Sequence, residues 1–158
     1  MGSLTLFVRD SNRIEGIDRD PTREEIAAHE KLLALETLAV EDIEAFVSRV
    51  QPGARLRSHE GMNVRVGPHM PPPGGPQITR DLCGLLVMIC NAVNGEVSLR
   101  PWEAHLEYES LHPFTDGNGR SGRAIWAWQM LREGRDPFAL PFLHRAYYEA
   151  LEWGRRQL

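Results

Sequence analysis

Leu111-His112-Pro113-Phe114-Thr115-Asp116-Gly117-Asn118-Gly119-Arg120-Ser121-Gly122-Arg123 lies between two stretches of helical periodicity, and its composition is not that of a connector. A loop that only turns the chain needs no His, acid, Gly-Asn-Gly run and pair of arginines. Gly117, Asn118 and Gly119 give access to positive φ, which turns successive backbone N–H groups toward one point and makes an anion-binding nest. The helix that follows aims its N-terminal dipole at the same place. Arg120 and Arg123, three apart, project from one helix face and suit phosphate oxygens, and arginines in a first helical turn oppose the dipole unless an anion joins them. Asp116 is a lone carboxylate of the kind that holds Mg²⁺ together with phosphate oxygens and water. His112 closes the preceding helix and is the nearby group able to accept a proton near neutrality. Phe114 turns inward and anchors the loop in the core. The segment reads as a cradle for a polyphosphate with a base beside it.

Outward from this segment the chain is helical. Thr22-Arg23-Glu24-Glu25 has the form of a capping box and opens a helix bearing Ile26, Leu32, Leu33 and Leu35. Val40 to Val50 predicts a second helix, stopped by Pro52-Gly53. Ile78, Leu82, Leu85, Leu86, Ile89 and Val93 follow the three-or-four spacing of an amphipathic helix ending at Asn94-Gly95. Pro101 starts a helix running to Leu111, Ala124 to Arg132 is helical, and Phe142 to Arg155 forms the last one. Strand character is confined to Met62, Val64 and Val66, which alternate with Asn63 and Arg65 just before a Pro/Gly-rich loop over 68–76. Two readings stand for it: an incidental hairpin, or an edge on which an extended peptide docks.

Composition narrows the function classes. The chain has 158 residues, 42% hydrophobic and 25% charged, enough for one domain with a real core. Its net charge is -4, and of 18 basic residues only Lys31 is not Arg. A general affinity for nucleic acid or for anionic lipid is therefore not expected, and any positive site is local. The longest apolar run, Leu85 to Cys90, falls far short of the roughly 20 residues of a membrane span, and the N-terminus does not read as a signal peptide. Cys83 and Cys90, seven apart on one helix, lie roughly 10 Å apart along its axis, beyond disulfide reach, so a reducing, cytoplasmic setting is expected. The other histidines show no ligand spacing, the tryptophans read as helix packing, and there is no Walker-type loop.

His112 to Arg123 resembles the signature of the Fic family (filamentation induced by cAMP), H-x-F-x-[D/E]-G-N-G-R-x-x-R, at every fixed position. The helix order, the proline-containing stretch before the long apolar helix, and Arg145, Tyr147, Tyr148 and Leu151 are also similar to a Fic core. The resemblance implies an all-α, Fic-type helical bundle with a short β-hairpin flap, in which an inhibitory segment over 1–20 precedes a catalytic core over 21–158. It implies transfer of AMP from ATP to a Ser, Thr or Tyr hydroxyl of a protein target. His112 is then the general base and Asp116 holds Mg²⁺ between the α- and β-phosphates. Gly117, Asn118 and Gly119 support the leaving pyrophosphate, whose charge Arg120 and Arg123 neutralise. In the Doc branch a Lys stands at the position of Gly119 and the γ-phosphate is transferred, so Gly119 favours nucleotidyl transfer.

Ser11-Asn12-Arg13-Ile14-Glu15-Gly16 reads on its own as a helix end capped by Gly16. Beside a Fic core it resembles the inhibitory motif [S/T]-x-x-x-E-[G/N], whose glutamate pairs with the second signature arginine, here Arg123. Glu15 on that guanidinium places negative charge where the γ-phosphate belongs and misaligns the nucleotide. Some relatives use this glutamate to remove AMP, so the direction of reaction stays open, as do transfer of another nucleotide and a non-catalytic nucleotide-binding role. Val64, Arg65 and Val66 with His69 resemble the flap that holds a target segment, although Gly67-Pro68 alone joins its halves. Tyr147 or Tyr148 is placed to line the adenine pocket, with core packing the expected role of at least one of them. The resemblance also admits a homodimer.

Overall fold

The computed structural model describes residues 3–139 and 144–158, with the backbone alone of 144–146 and 148. Among the described residues it has seven helices: α1 (Leu4–Ile14), α2 (Arg23–Leu33), α3 (Val40–Val50), α4 (Pro76–Val93), α5 (Pro101–Leu111), α6 (Asn118–Arg132) and α7 (His144–Arg155). The local chemistry expected at their ends is present. Thr22 Oγ1 accepts from Glu25 N at 3.1 Å while Glu25 Oε2 accepts from Thr22 N at 2.8 Å, so the capping box closes in both directions. Pro101 starts α5 and Pro76 starts α4, where the missing N–H costs the helix nothing. The start of the last helix expected at Phe142 lies outside the described residues, and so do the side chains of Arg145 and Tyr148.

Helix α6 is the axis of the molecule: α1, α2, α3, α4 and α5 all pack on it, and α7 packs on α5. Ile78, Leu82, Leu86 and Ile89 form the inward stripe of α4 and are at most 1% exposed. Each contributes roughly 1.5–3 kcal/mol of gross hydrophobic stabilisation. They meet Ile43, Phe46 and Val47 of α3 and Ile125 and Trp128 of α6 in the main core. Trp128 Nε1 donates to Leu35 O at 2.8 Å, so this indole packs and satisfies its one donor at the end of α2. Trp153, in contrast, is 65% exposed.

Helix α1 lies on α6 through Phe7 and Val8 against Ala127, and its far end joins α5 and α7 through Ile14, Leu106, Tyr147 and Leu151. Glu25 fixes its angle. That carboxylate, buried at the start of α2, accepts from Asn12 Nδ2 of α1 at 3.2 Å and from both Arg19 Nη atoms at 2.9 and 3.0 Å. Burial works to raise its pKa, but Arg19, the Thr22 N–H and Asn12 outweigh it and bring the pKa down to about 2.

The alternation over 62–66 does not produce a ladder. One antiparallel bridge joins Val66 to His69 around Gly67-Pro68, with Val66 N donating to His69 O at 3.0 Å and His69 N to Val66 O at 2.9 Å. Pairing stops there because the return segment runs into Pro71-Pro72-Pro73, which have no N–H to donate. The residues before it are held by other means: Met62 O accepts from Arg57, and Asn63 Oδ1 accepts from Gly74 N.

Candidate functional site

The loop between α5 and α6 is built like a clamp. Asn118 Oδ1 accepts from Phe114 N at 2.9 Å while its Nδ2 donates to Phe114 O at 2.8 Å. Phe114, 1% exposed, is thereby locked into the core. Leu56 bridges Phe114, Arg57 N donates to Pro113 O at 2.8 Å, and Thr115 N donates to Arg55 O at 2.8 Å. Gly117 takes φ 77, the positive value expected at the entry to the nest, and α6 begins at Asn118. Asp116 is exposed, with Oδ1 accepting from Gly117 N at 2.7 Å.

His112 is the one non-glycine residue with positive φ among the described residues, at φ 50 and ψ 62. A left-handed conformation at such a residue needs enforcement, and Arg57 supplies it. This arginine, 0% exposed, donates from Nε to His112 O at 2.7 Å and from Nη2 to Leu111 O at 3.0 Å. Its Nη1 donates to Met62 O at 3.1 Å and to Pro72 O at 2.9 Å. One guanidinium thus ties the backbone at Leu111 and His112 to the proline loop. Burial pulls the Arg57 pKa down. The His112 imidazole is held down to about 4, first by burial and then by Arg57, Arg155 and His69, so it is neutral at pH 7 and can accept a proton.

A cavity of about 670 Å³ opens at this histidine. Its walls include Gly119 and Arg123 from α6, Glu15 beyond the end of α1, Val66 to His69 from the bridged turn, and Tyr147, Leu151 and Arg155 from α7. Arg123, 1% exposed, is held from α1: Nε donates to Ser11 Oγ at 2.8 Å, and Nη2 donates to Ser11 O at 2.9 Å and to Glu15 Oε1 at 2.6 Å. Its Cζ sits 5.1 Å from the centre of the Tyr147 ring. Burial opposes its charge, but Tyr147, Glu15 and Glu109 outweigh burial and raise its pKa. Gly119 lets the Glu15–Arg123 pair lie directly on the α6 backbone, because a Cβ at that position would overlap Glu15 Oε1 and come within 3.0 Å of Arg123 Nη1 unless the glutamate moved aside.

Of the residues singled out by sequence, the structure brings His112, Gly119, Arg123, Glu15 and Val66 to one cavity. Ser11 joins them as a partner of Arg123. Arg120 goes elsewhere: its Nη1 donates to Val50 O at 2.8 Å and its Nη2 to Gln51 Oε1, at the C-terminus of α3. The last carbonyls of a helix lack intrahelical partners, and Arg120 satisfies one of them. Burial lowers the Arg120 pKa, against the pull of Glu15 and Asp116. Arg57 was missed by sequence reasoning, since its partners are main-chain carbonyls from four separate positions and no pattern announces them. Glu109 was missed as well. It is 3% exposed, three residues before His112, and faces the same cavity.

No three His, Cys, Asp or Glu among the described residues group together as a metal site. A single exposed carboxylate beside the N-terminus of α6 fits a cation that brings its own phosphate oxygens.

Comparison with known proteins agrees with this geometry. Protein adenylyltransferase Fic of Drosophila willistoni is 35% identical over 91 residues, which are 54% of this chain and 17% of that protein. The protein of the same name from Drosophila melanogaster is 35% identical over 91 residues, 54% of this chain and 18% of its own length. That of Culex quinquefasciatus is 34% identical over 96 residues, 56% and 18% respectively. This chain therefore spans less than a fifth of the length of these curated relatives. The family model described as Fic/DOC matches residues 29–130, well over half of the sequence and all of the clamp from His112 to Arg123. The chain belongs to the Fic/DOC family.

Proposed function

We propose that this protein transfers AMP from ATP to a Ser, Thr or Tyr hydroxyl of a target protein, and that Glu15 holds the reaction off. The observation that carries this reading is that a neutral, positioned His112 and the cation Arg123 face one cavity, with Glu15 on the guanidinium. The names of the relatives, protein adenylyltransferase Fic, support the same chemistry.

In this reaction the target oxygen bonds to the α-phosphorus, the bond from that phosphorus to the bridging oxygen breaks, and pyrophosphate leaves. The proton of the hydroxyl passes to the His112 imidazole. Arg123, cleared of Glu15, binds the terminal phosphate, while the N–H groups from Gly117 to Gly119 and the α6 dipole receive the charge that develops on pyrophosphate. Arg120 contributes through the long-range field and by bracing α6 against α3. Asp116 would hold Mg²⁺, which supplies charge neutralisation at the α- and β-phosphates. Most of the rate enhancement asked of the chain is positioning and electrostatics.

The wall from Val66 to His69 is where a target segment would approach His112, with Val64 and Arg65 leading into it. Cys83 and Cys90, both free thiols, are consistent with a cytoplasmic setting. Parallel incubation of Glu15→Gly with α-labelled and γ-labelled ATP tests the reaction. Label appearing on protein from the α position alone supports adenylyl transfer, and label from the γ position alone makes the protein a kinase. Transfer from neither position removes the enzymatic reading. Asp116→Asn in the same background retains the acceptor for Gly117 N and is expected to lose the Mg²⁺-dependent rate while keeping the fold.

A further inference from the structure

The hydrogen bonds that α1 makes to Arg123 come from Ser11 and Glu15, so release of α1 removes them together and leaves the guanidinium against Tyr147 and α5. A guanidinium 1% exposed does not stay in place without a counter-charge. Helix α5 offers an acid whose charge reaches Arg123, whereas Glu152 of α7 lines the cavity without acting on it. Glu109 lines the same cavity, and its buried Oε1 has no hydrogen-bond partner among the described residues. It presses on the backbone of Gly122, the residue before Arg123, since a Cβ there would overlap Glu109 Oε1. Packing alone does not account for it, because a Leu or Met would fill the space without burying an unsatisfied carboxyl.

We propose that Glu109 is a positioning residue for Arg123: once Glu15 withdraws, the Glu109 carboxylate becomes the counter-ion that keeps the guanidinium in the cavity, and it yields that place to the terminal phosphate of the nucleotide. The inference rests on the reading that a polyphosphate enters this cavity. The groups facing Glu109 set its charge. Glu15 from α1 repels a second negative charge, Arg123 from α6 and Arg155 from α7 attract one, and His105, His112 and Tyr147 complete the surroundings. With Glu15 in place, burial first and then Glu15 push the Glu109 pKa up to about 8, against Arg123 and Arg155. Its 3.9 Å approach to His105 Nε2 is then a contact of neutral groups, because burial holds His105 down to about 3. Removing Glu15 lets Glu109 release its proton to solvent and pair with Arg123. Arrival of the phosphate reverses this, and Glu109 takes a proton back from solvent.

The test is proton-linked binding of MgATP to full-length Glu15→Gly, with His112→Ala added to stop turnover. Calorimetry near pH 8 in buffers of different ionisation enthalpy is expected to show uptake of a substantial fraction of a proton. Affinity should fall roughly five- to tenfold between about pH 7 and pH 8.5, as loss of one linked proton dictates. Adding Glu109→Gln should abolish the uptake and flatten the profile. Difference infrared spectroscopy reads the same proton with Glu109 intact, as a protonated-carboxyl band gained when MgATP binds. Binding without uptake, or uptake that persists in Glu109→Gln, overturns this inference alone. Failure of MgATP to bind at any pH overturns the functional reading and takes the inference with it.

Discussion

Arg123 Nη2 and Glu15 Oε1 lie 2.6 Å apart across 108 residues of sequence, joining the end of α1 to the second turn of α6 at the edge of the cavity that His112 lines. Glu15 is one-third exposed while Arg123 is buried, so the acid is the partner free to leave. Glu15→Gly is expected to raise self-modification from α-labelled ATP by an order of magnitude or more. It should lower stability by roughly 1–3 kcal/mol, the range for a lost hydrogen bond to a charged group. Ser11→Ala removes one bond to Nε and keeps the ion pair, so it should release activity only in part. Rates equal to wild type in Glu15→Gly would reject the brake.

Arg57 is predicted to matter as much as any residue of the signature. Arg57→Ala leaves the carbonyls of Met62, Pro72, Leu111 and His112 without their donor. A loss of at least about 3 kcal/mol is expected, from several buried acceptors left unsatisfied. Arg57→Lys is the sharper probe, since a single ammonium cannot reproduce the fork. In a Glu15→Gly background it should reduce kcat by more than it raises KM, because it displaces His112 while leaving Arg123 untouched. A kcat unchanged by Arg57→Lys would show that the left-handed His112 holds itself.

Acid stability follows from the buried histidines. Burial holds His29 down to about 4 and His105 to about 3, below the ordinary value of 6.5. The unfolded chain therefore binds protons first as pH falls below 6.5, and each histidine withdraws about 1.4 kcal/mol of stability per pH unit until its folded pKa is reached. Glu109 acts in the opposite sense between 4.5 and about 8, where the folded state binds the extra proton, and it cancels one histidine over the shared range. Below pH 4.5, Glu25 adds its own acid loss, which continues down to about 2. His29→Gln should flatten the fall between pH 6.5 and 4.5 in denaturant titrations, and an unchanged slope would contradict it. Because His112 is held at about 4, the transfer rate should show no protonation limb of this residue down to about pH 5.

Gly122→Ala is expected to destabilise by roughly 1–3 kcal/mol through overpacking. The added Cβ overlaps Glu109 Oε1 and comes within 2.9 Å of Tyr108 Cδ1 and 3.2 Å of His105 Cε1. Thermal unfolding measures this. An unchanged melting temperature would mean that α5 and α6 can separate at this crossing without loss.

The sequence made some elements legible and hid others for physical reasons. Helices α3 and α5 begin and end at the residues their patterns indicate, since Pro52-Gly53 and Pro101 are local signals that tertiary contacts do not override. Helix α6 already begins at Asn118: of the Gly-Asn-Gly run only Gly117 takes a positive φ, and the other two residues are helical. The strand over 62–66 shrank to one bridge, as alternation cannot supply a partner strand when the returning chain is a run of prolines without N–H groups. Arg120 and Arg123 share a helix face by spacing, yet α3 claims one and α1 the other. Spacing reports which way a side chain leaves the helix; the neighbour that meets it is decided by the fold. Arg57 and Glu109 lacked any local signature for the same reason.

Ser11 and Glu15 reach Arg123 from the same polypeptide, so their contact is an equilibrium within one molecule. A tether of this kind keeps the local concentration of the blocking carboxylate at roughly millimolar or above whatever the amount of protein in solution. Under the proposed brake, thinning the sample therefore leaves the inhibited fraction unchanged, and release of Arg123 has to come from something that reaches α1 and alters its energy.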